Sequence, residues 1–256
     1  MNATNGSRPM KLTGNTVLIA GATSGIGLGL ALRLHTARNR VIVAGRRADR
    51  LAQIVAANPG VESVALDITD PTAIRDVTAQ VLQRFPDLNV LVTMAGIMLP
   101  EDLHNDGFLP MAEATVATNL LGPIRLVGAL TAHLAAQPQA TIMTVSSGLA
   151  FVPLPITPTY NATKAAIHSF TESLRVQLAD TSIEVLELVP PAVRTMLMGQ
   201  QNADNAMPLE AFLNEVMDIL ADTGHPQEIL VKTVEPLRFA EARGRYAETL
   251  RMLSHH

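Results

Sequence analysis

The sequence predicts an α/β chain: a single doubly wound parallel sheet with helices on both faces and a small flap-helix region. Three observations carry this. Short, mainly apolar runs alternate along the chain with stretches of helical periodicity. A glycine-rich turn joins the first such run to the first helix. The residues able to do chemistry follow the ends of strand runs, the edge where parallel sheets hold ligands. Parallel strands covered on both faces read as continuous apolar runs, and 48% hydrophobic residues suffice for such a core.

Residues 1–10 are polar and read as a flexible tail, leaving 11–256 as one domain. The first strand, 16–20, runs into Gly21-Ala-Thr23-Ser24-Gly25-Ile26-Gly27, and a helix follows at 25–37. The second strand, 40–44, ends at Gly45-Arg46-Arg47 before a helix at 48–57. The third, 61–66, gives way to Asp67-Ile68 and a helix at 71–84. The fourth, 89–93, closes on Ala95-Gly96, and an apolar helix at 109–135 contains Asn119. The fifth, 140–145, ends at Ser146-Ser147 before a helix at 159–180 with Tyr160 and Lys164. The sixth, 183–189, leads through Pro190 and Val193 to Thr195. A substrate flap is expected near 195–224, with Leu209, Phe212, Leu213, Val216 and Leu220 on one side of its helix. The last stretch, 226–253, reads as helices.

Two local patterns specify chemistry. Glycines in the first turn let the backbone approach a pyrophosphate, which sits at a helix N-terminus where free N–H groups point outward. The spacing is Gly-x-x-x-Gly-x-Gly, and no Gly-Lys-Ser/Thr follows to make a nucleoside-triphosphate loop. In the second pattern, Tyr160 and Lys164 are four apart and share a helix face. An ammonium beside a phenol favours phenolate, so Tyr160 is expected to be tuned toward neutral pH and to move a proton at a carbonyl or alcohol oxygen. Ser147, 13 residues earlier, would hold that oxygen. Gly45 stands where an acidic residue usually binds a ribose 2′-hydroxyl, and Arg46 and Arg47 follow it, which favours NADP(H), with NAD(H) the second choice. Ser24 could add a hydroxyl there.

Together, the glycine turn and the Ser147, Tyr160 and Lys164 set resemble the short-chain dehydrogenase/reductase family, a Rossmann-type fold, over nearly the whole chain. The segments 11–15, 147–153 and 235–241 resemble its branch named after the D-alanine esterification (Dlt) operon of bacterial teichoic acids. The resemblance implies that Asn119, Ser147, Tyr160 and Lys164 form the catalytic set, Asn119 through a water that serves the lysine. It implies adenine contacts at Asp67 and Ile68, cofactor contacts at Ala95 and Gly96, and a nicotinamide clasp from Pro190, Val193 and Thr195. Lys164 would also bond the nicotinamide ribose. The expected activity interconverts a neutral, fairly hydrophobic ketone or aldehyde and its alcohol by hydride transfer. A same-fold epimerase or dehydratase and a non-catalytic NAD(P)-sensing protein are the alternatives. The family also implies a homodimer or homotetramer through the 109–135 and 159–180 helices. The chain departs from the family pattern at Ala20, at Thr93 and Met94 in place of two asparagines, and at Pro191 in place of a glycine.

Composition excludes other classes. There is no cysteine, hence no disulfide or thiolate metal site, and a net charge of −4 with no basic stripe argues against nucleic acid. No uncharged twenty-residue span or export signal is read, so no membrane partner and a cytoplasmic location are expected. His35, His104, His133 and His168 lack metal-ligand spacing and read as packing or solvent residues; no metal is expected. Leu149, Phe151, Pro155, Met196 and Met198 are candidate walls of an apolar substrate pocket, and His255-His256 reads as the remnant of a tag.

Overall fold

The computed structural model of the chain describes residues 9–222, 224 and 226–254. Seven strands are found among them: β1 (Thr16–Ala20), β2 (Arg40–Gly45), β3 (Glu62–Ala65), β4 (Leu88–Thr93), β5 (Ala140–Val145), β6 (Ile183–Leu188) and β7 (Glu228–Ile229). They form one sheet in the order β3-β2-β1-β4-β5-β6-β7, and each pairing is parallel. The order reverses between β1 and β4, which opens a crevice at their carboxyl ends.

Alternation along each strand supplies the two core layers. Val17 and Ile19 of β1 enter one cluster, with Leu30 and Leu34 of α1 (Gly25–Thr36), Leu51 and Ile54 of α2 (Ala48–Ala57) and Phe212 and Val216 of α7 (Leu209–Ala221). Leu18 and Ala20, pointing the other way, join Ile74 and Val81 of α3 (Pro71–Arg84) and Leu126 and Leu130 of α5 (Gly122–Ala135). Phe170 and Leu174 of α6 (Pro158–Gln177) pack on this second layer.

Three expectations need correction. The tail does not reach residue 10: Met10 is buried, and its amide donates to Glu184 Oε2 at 2.8 Å. Residues 1–8 and His255-His256 lie outside the described residues, as does Thr223 in the flap. The 109–135 helix is not uniform: α4 (Leu109–Val116) passes into a π-helical turn over Ala117–Leu121 before α5 begins. The 226–253 stretch is not wholly helical. It supplies β7 first, then α8 (Glu235–Arg238) and α9 (Tyr246–Ser254); two strand residues are too few to show a period.

The segment after β6 is stitched to itself. Val193 bridges Met207 in parallel, and the Arg194 guanidinium donates to the carbonyls of Ala203 and Ala206 at 3.0 and 3.1 Å. Between them, a 3₁₀ stretch over Leu197–Asn202 turns through Met198 (φ 55°) and Gly199 (φ 67°).

Candidate functional site

One cavity of about 640 Å³ lies along the carboxyl edge of the sheet. Of the residues singled out by sequence as catalytic or cofactor-binding, all but Asn119 line it. The edge brings them together because most lie in the segments that directly follow strands, while Tyr160 and Lys164 stand on α6, which packs against that edge.

The glycine turn forms one end. Gly21 adopts φ 92°, and a Cβ there would lie 2.4 Å from the backbone N and Cα of Ala95. A Cβ on Gly27 would lie 2.3 Å from the Gly21 carbonyl oxygen. The first turn of α1 therefore sits tight against the ends of β1 and β4. Ser24 is its N-cap, yet makes no side-chain capping bond, and the turn holds no acidic residue. The α1 amides thus face the cavity with their positive end uncompensated, a chemistry that suits a pyrophosphate. Above this turn, Thr195 approaches Gly25, where a Cβ would lie 3.4 Å from Thr195 Cγ2.

The tips of β2 and β3 supply the next wall. Arg47 donates to Thr23 Oγ1 at 2.9 Å, and Arg46 stands close enough to Asp67 to act on its charge. Burial pushes the Asp67 carboxyl up, but hydrogen bonds from the Thr69 amide and hydroxyl, with the charge of Arg46, outweigh it and hold it below the usual carboxylate range. Ile68 is buried against Gly122, at the start of α5.

The reactive groups converge at the other end. Ser147 follows β5; its Oγ accepts from the Leu149 amide at 3.1 Å and is hydrogen-bonded to the Tyr160 phenol. Tyr160 and Lys164 face the same way, with Nζ 5.6 Å from the centre of the phenol ring. That ammonium donates to the Val145 carbonyl at 2.8 Å. Ser146 turns away, its hydroxyl donating to Glu187, which agrees with the 13-residue spacing in favour of Ser147. Asn119 lies under the cavity, in the π-helical turn. Its amide clamps Ile97 from both sides at 2.8 Å, donating to the carbonyl and accepting from the N–H. A Cβ on Gly96 would come within 3.4 Å of Asn119 Oδ1 and 3.8 Å of Lys164 Nζ. Glycine at 96 keeps open the gap between those two groups.

The expected acidity of Tyr160 is reversed. Burial pushes the phenol up to about 12, and its bond to Ser147 offsets only part of that. Lys164 is itself brought down to about 8 by burial, against the charge of Glu187. The spacing of tyrosine and lysine is correct, but the desolvation of both groups is set by tertiary packing.

Other departures follow from packing. Thr93 is buried, and its hydroxyl has no hydrogen-bond partner, so it does not tie neighbouring strands together as an asparagine would. Of the pocket candidates, Leu149, Met196 and Met198 line the cavity, whereas Phe151 and Pro155 do not. Phe151 instead stands edge-on to His168 at 4.7 Å, beneath the Arg238 guanidinium. Sequence reasoning missed Met98, Leu154, Ile156, Leu237 and Leu253 in the lining. Leu237 is seated by Gly148, where a Cβ would meet it at 2.6 Å; nothing local in the sequence marks that contact. His168 is no simple packing residue, since its Nδ1 lies 2.9 Å from Glu187 Oε2. A glutamate inside the apolar run of β6 was the available signal for it.

The chain matches the short chain dehydrogenase family model over residues 15–206. It is 40% identical over 244 residues to the uncharacterized oxidoreductase DltE of Bacillus subtilis, covering 90% of this chain and 93% of that one. Dehydrogenase/reductase SDR family member 7B of Bos taurus is 32% identical over 239 residues, covering 84% and 72%. Among solved structures, a short chain dehydrogenase from Burkholderia cenocepacia in complex with NADP superposes with a TM-score of 0.83 at 24% identity, covering 96% of this chain and all of the other. An alcohol dehydrogenase from Thermococcus sibiricus with 5-hydroxy-NADP gives 0.74 at 23% identity, covering 83% and 92%.

Proposed function

The chain belongs to the short-chain dehydrogenase/reductase family of oxidoreductases, and we propose that within it the protein is an NADP(H)-dependent reductase of neutral, fairly hydrophobic ketones or aldehydes. The observation that carries this is the hydrogen-bonded Ser147 and Tyr160 pair, with Lys164 over the phenol, in the same cavity as the uncapped glycine turn.

The α1 amides and the Gly21–Gly27 turn would hold the pyrophosphate, with Asp67 and Ile68 at the adenine and Pro190, Val193 and Thr195 at the nicotinamide. Arg46 and Arg47 would take the 2′-phosphate through charge-assisted bonds; the NADP complex of the Burkholderia structure supports that choice. When bound, NADPH supplies the hydride that the carbonyl carbon takes up. Ser147, whose oxygen already accepts from the Leu149 amide, directs its own proton to the substrate oxygen. Tyr160, neutral at ordinary pH, gives that oxygen its proton, and Lys164 stabilises the phenolate left behind. Asn119 fixes the Ile97 backbone and the gap at Gly96 through which the ammonium would be reached.

For the substrate, Met98, Leu154, Ile156, Met196, Leu237 and Leu253 offer an apolar wall. The cations of the lining are Lys164 and the arginines of the 2′-phosphate corner, so a neutral substrate fits better than a carboxylate or phosphate. The 195–224 segment, pinned at Val193 and Met207, would act as the flap over it.

A ketone panel followed by NADPH absorbance, repeated with NADH, tests the reading. Net NADPH oxidation is expected, with a preference over NADH that collapses in the Arg46→Ala, Arg47→Ala double variant. Isomerised or dehydrated product without net NADPH consumption would replace this reading with the epimerase or dehydratase one.

A further inference from the structure

Beside the cavity, β6 carries a charge into the core. Glu187 is fully buried. One of its oxygens accepts from Ser146 Oγ, and the two lie 3.0 and 2.9 Å from His168 Nδ1. Three consecutive residues at the end of β5 thereby serve three different groups. The Val145 carbonyl holds Lys164, the Ser146 hydroxyl holds Glu187, and the Ser147 hydroxyl holds Tyr160. The partners on α6 are evenly spaced too: Tyr160, Lys164 and His168 recur every four residues along one stripe.

The surroundings of this carboxylate are charged on every side. On α6, His168 Nε2 lies 3.9 Å from Glu172 Oε1. Glu228 of β7 reaches the same spot, its carboxylate forked by Arg238 of α8 at 2.8 and 2.9 Å. The ring and carboxylate atoms of His168, Glu187 and Glu228 come within 4.8 Å of one another; here His168 lies against Glu187 and Arg238 against Glu228. A buried ammonium needs a nearby negative charge, or it loses its proton. Glu187 is the buried acid whose charge acts on Lys164, opposing the effect of burial.

We propose that Glu187 is a positioning residue for the reaction: its carboxylate, shared by Ser146 and His168, supplies the buried negative charge that keeps Lys164 cationic beside Tyr160. His168 is the counterweight. Glu187 and the surrounding acids favour its protonated form, and the imidazolium then cancels part of the charge that Lys164 experiences. The inference rests on the catalytic reading of Tyr160 and Lys164 given above.

The chain contains only three lysines, Lys11, Lys164 and Lys232, so ¹³Cε-lysine NMR can follow Lys164 directly, with Lys11→Arg and Lys232→Arg identifying its signal. Wild type should titrate near 8. In Glu187→Gln, which keeps an acceptor for Ser146 but removes the charge, the midpoint should fall by about one pH unit. In His168→Gln it should rise. The alkaline limb of kcat for ketone reduction should move in the same two directions, while KM for NADPH changes by less than about twofold. A merely structural ion pair would lower stability in both variants and leave both midpoints in place, which would overturn the inference. If Glu187→Gln fails to fold, an unmoved midpoint in His168→Gln decides against it alone. Midpoints that move as expected in a protein lacking all hydride transfer would support the charge coupling and defeat the catalytic reading instead.

Discussion

Tyr160 carries the heaviest chemical claim, and its environment constrains how it can act. The phenol is neutral up to about 12 and Lys164 is charged only below about 8. Reduction needs a protonated phenol and a charged ammonium, so its kcat should hold through neutrality and fall as pH passes about 8. Oxidation of the alcohol needs the phenolate beside a charged ammonium, so that rate should climb through neutrality and level off as pH passes about 8. Opposed pH profiles for the two directions are therefore expected, and parallel ones would contradict these roles. Tyr160→Phe should cost about 10²–10⁴-fold in turnover while NADPH still binds, as followed by cofactor fluorescence. The unpartnered hydroxyl of Thr93 gives a stability test. Thr93→Val removes a buried polar group without changing shape, and should be neutral or raise unfolding stability by up to about 1 kcal/mol in urea titration. Spacing alone revealed the partnership of Tyr160 with Lys164 and with Ser147. The direction of their acidities could not be read that way, because it depends on how much water the folded chain excludes from them.

At the scale of elements, the glycine turn shows the tightest link between sequence and geometry. Gly21→Ala places a Cβ against the Ala95 backbone at a positive φ, and neither side can yield without parting β1 from β4. A loss of about 2–3 kcal/mol in urea unfolding is expected, with weaker NADPH binding at temperatures where the variant stays folded. An unchanged midpoint would mean that this turn does not hold the strands together. The turn was legible because glycine spacing records a backbone requirement locally. Strands β1 to β6 were legible for a similar reason, since each is a short apolar run flanked by helical periodicity. The π-helical turn that delivers Asn119 was not, because an extra residue in a helix leaves hydrophobic periodicity nearly intact. Nor was β7, whose two residues pair with β6 through tertiary placement alone. Glu187 and His168 stood in plain view, but only the register of β6 against β5 and α6 brings the one against the other.

For the molecule as a whole, exposed apolar side chains on α4, the π-helical turn and α6 bear on assembly. Leu109, Met111 and Leu121 are exposed, and Val176 presents 77% of its surface to solvent near the end of α6. Scattered apolar residues are ordinary on a protein surface, but α4 packs beside α6 and so gathers these onto adjoining helices. A two-fold pairing of such helices would bury each residue twice, once on each copy. We therefore expect light scattering to give the mass of two or four chains at micromolar concentration. Association binds only the folded state, so the unfolding temperature should rise with protein concentration. Val176→Glu would place a charge and its symmetry mate at that seam, and should reduce the mass and abolish the concentration dependence. Because Val176 is so exposed in the single chain, the substitution should leave the folded monomer intact. A wild-type mass of one chain at all concentrations would remove the seam, and a Val176→Glu protein that still assembles would place it on another face.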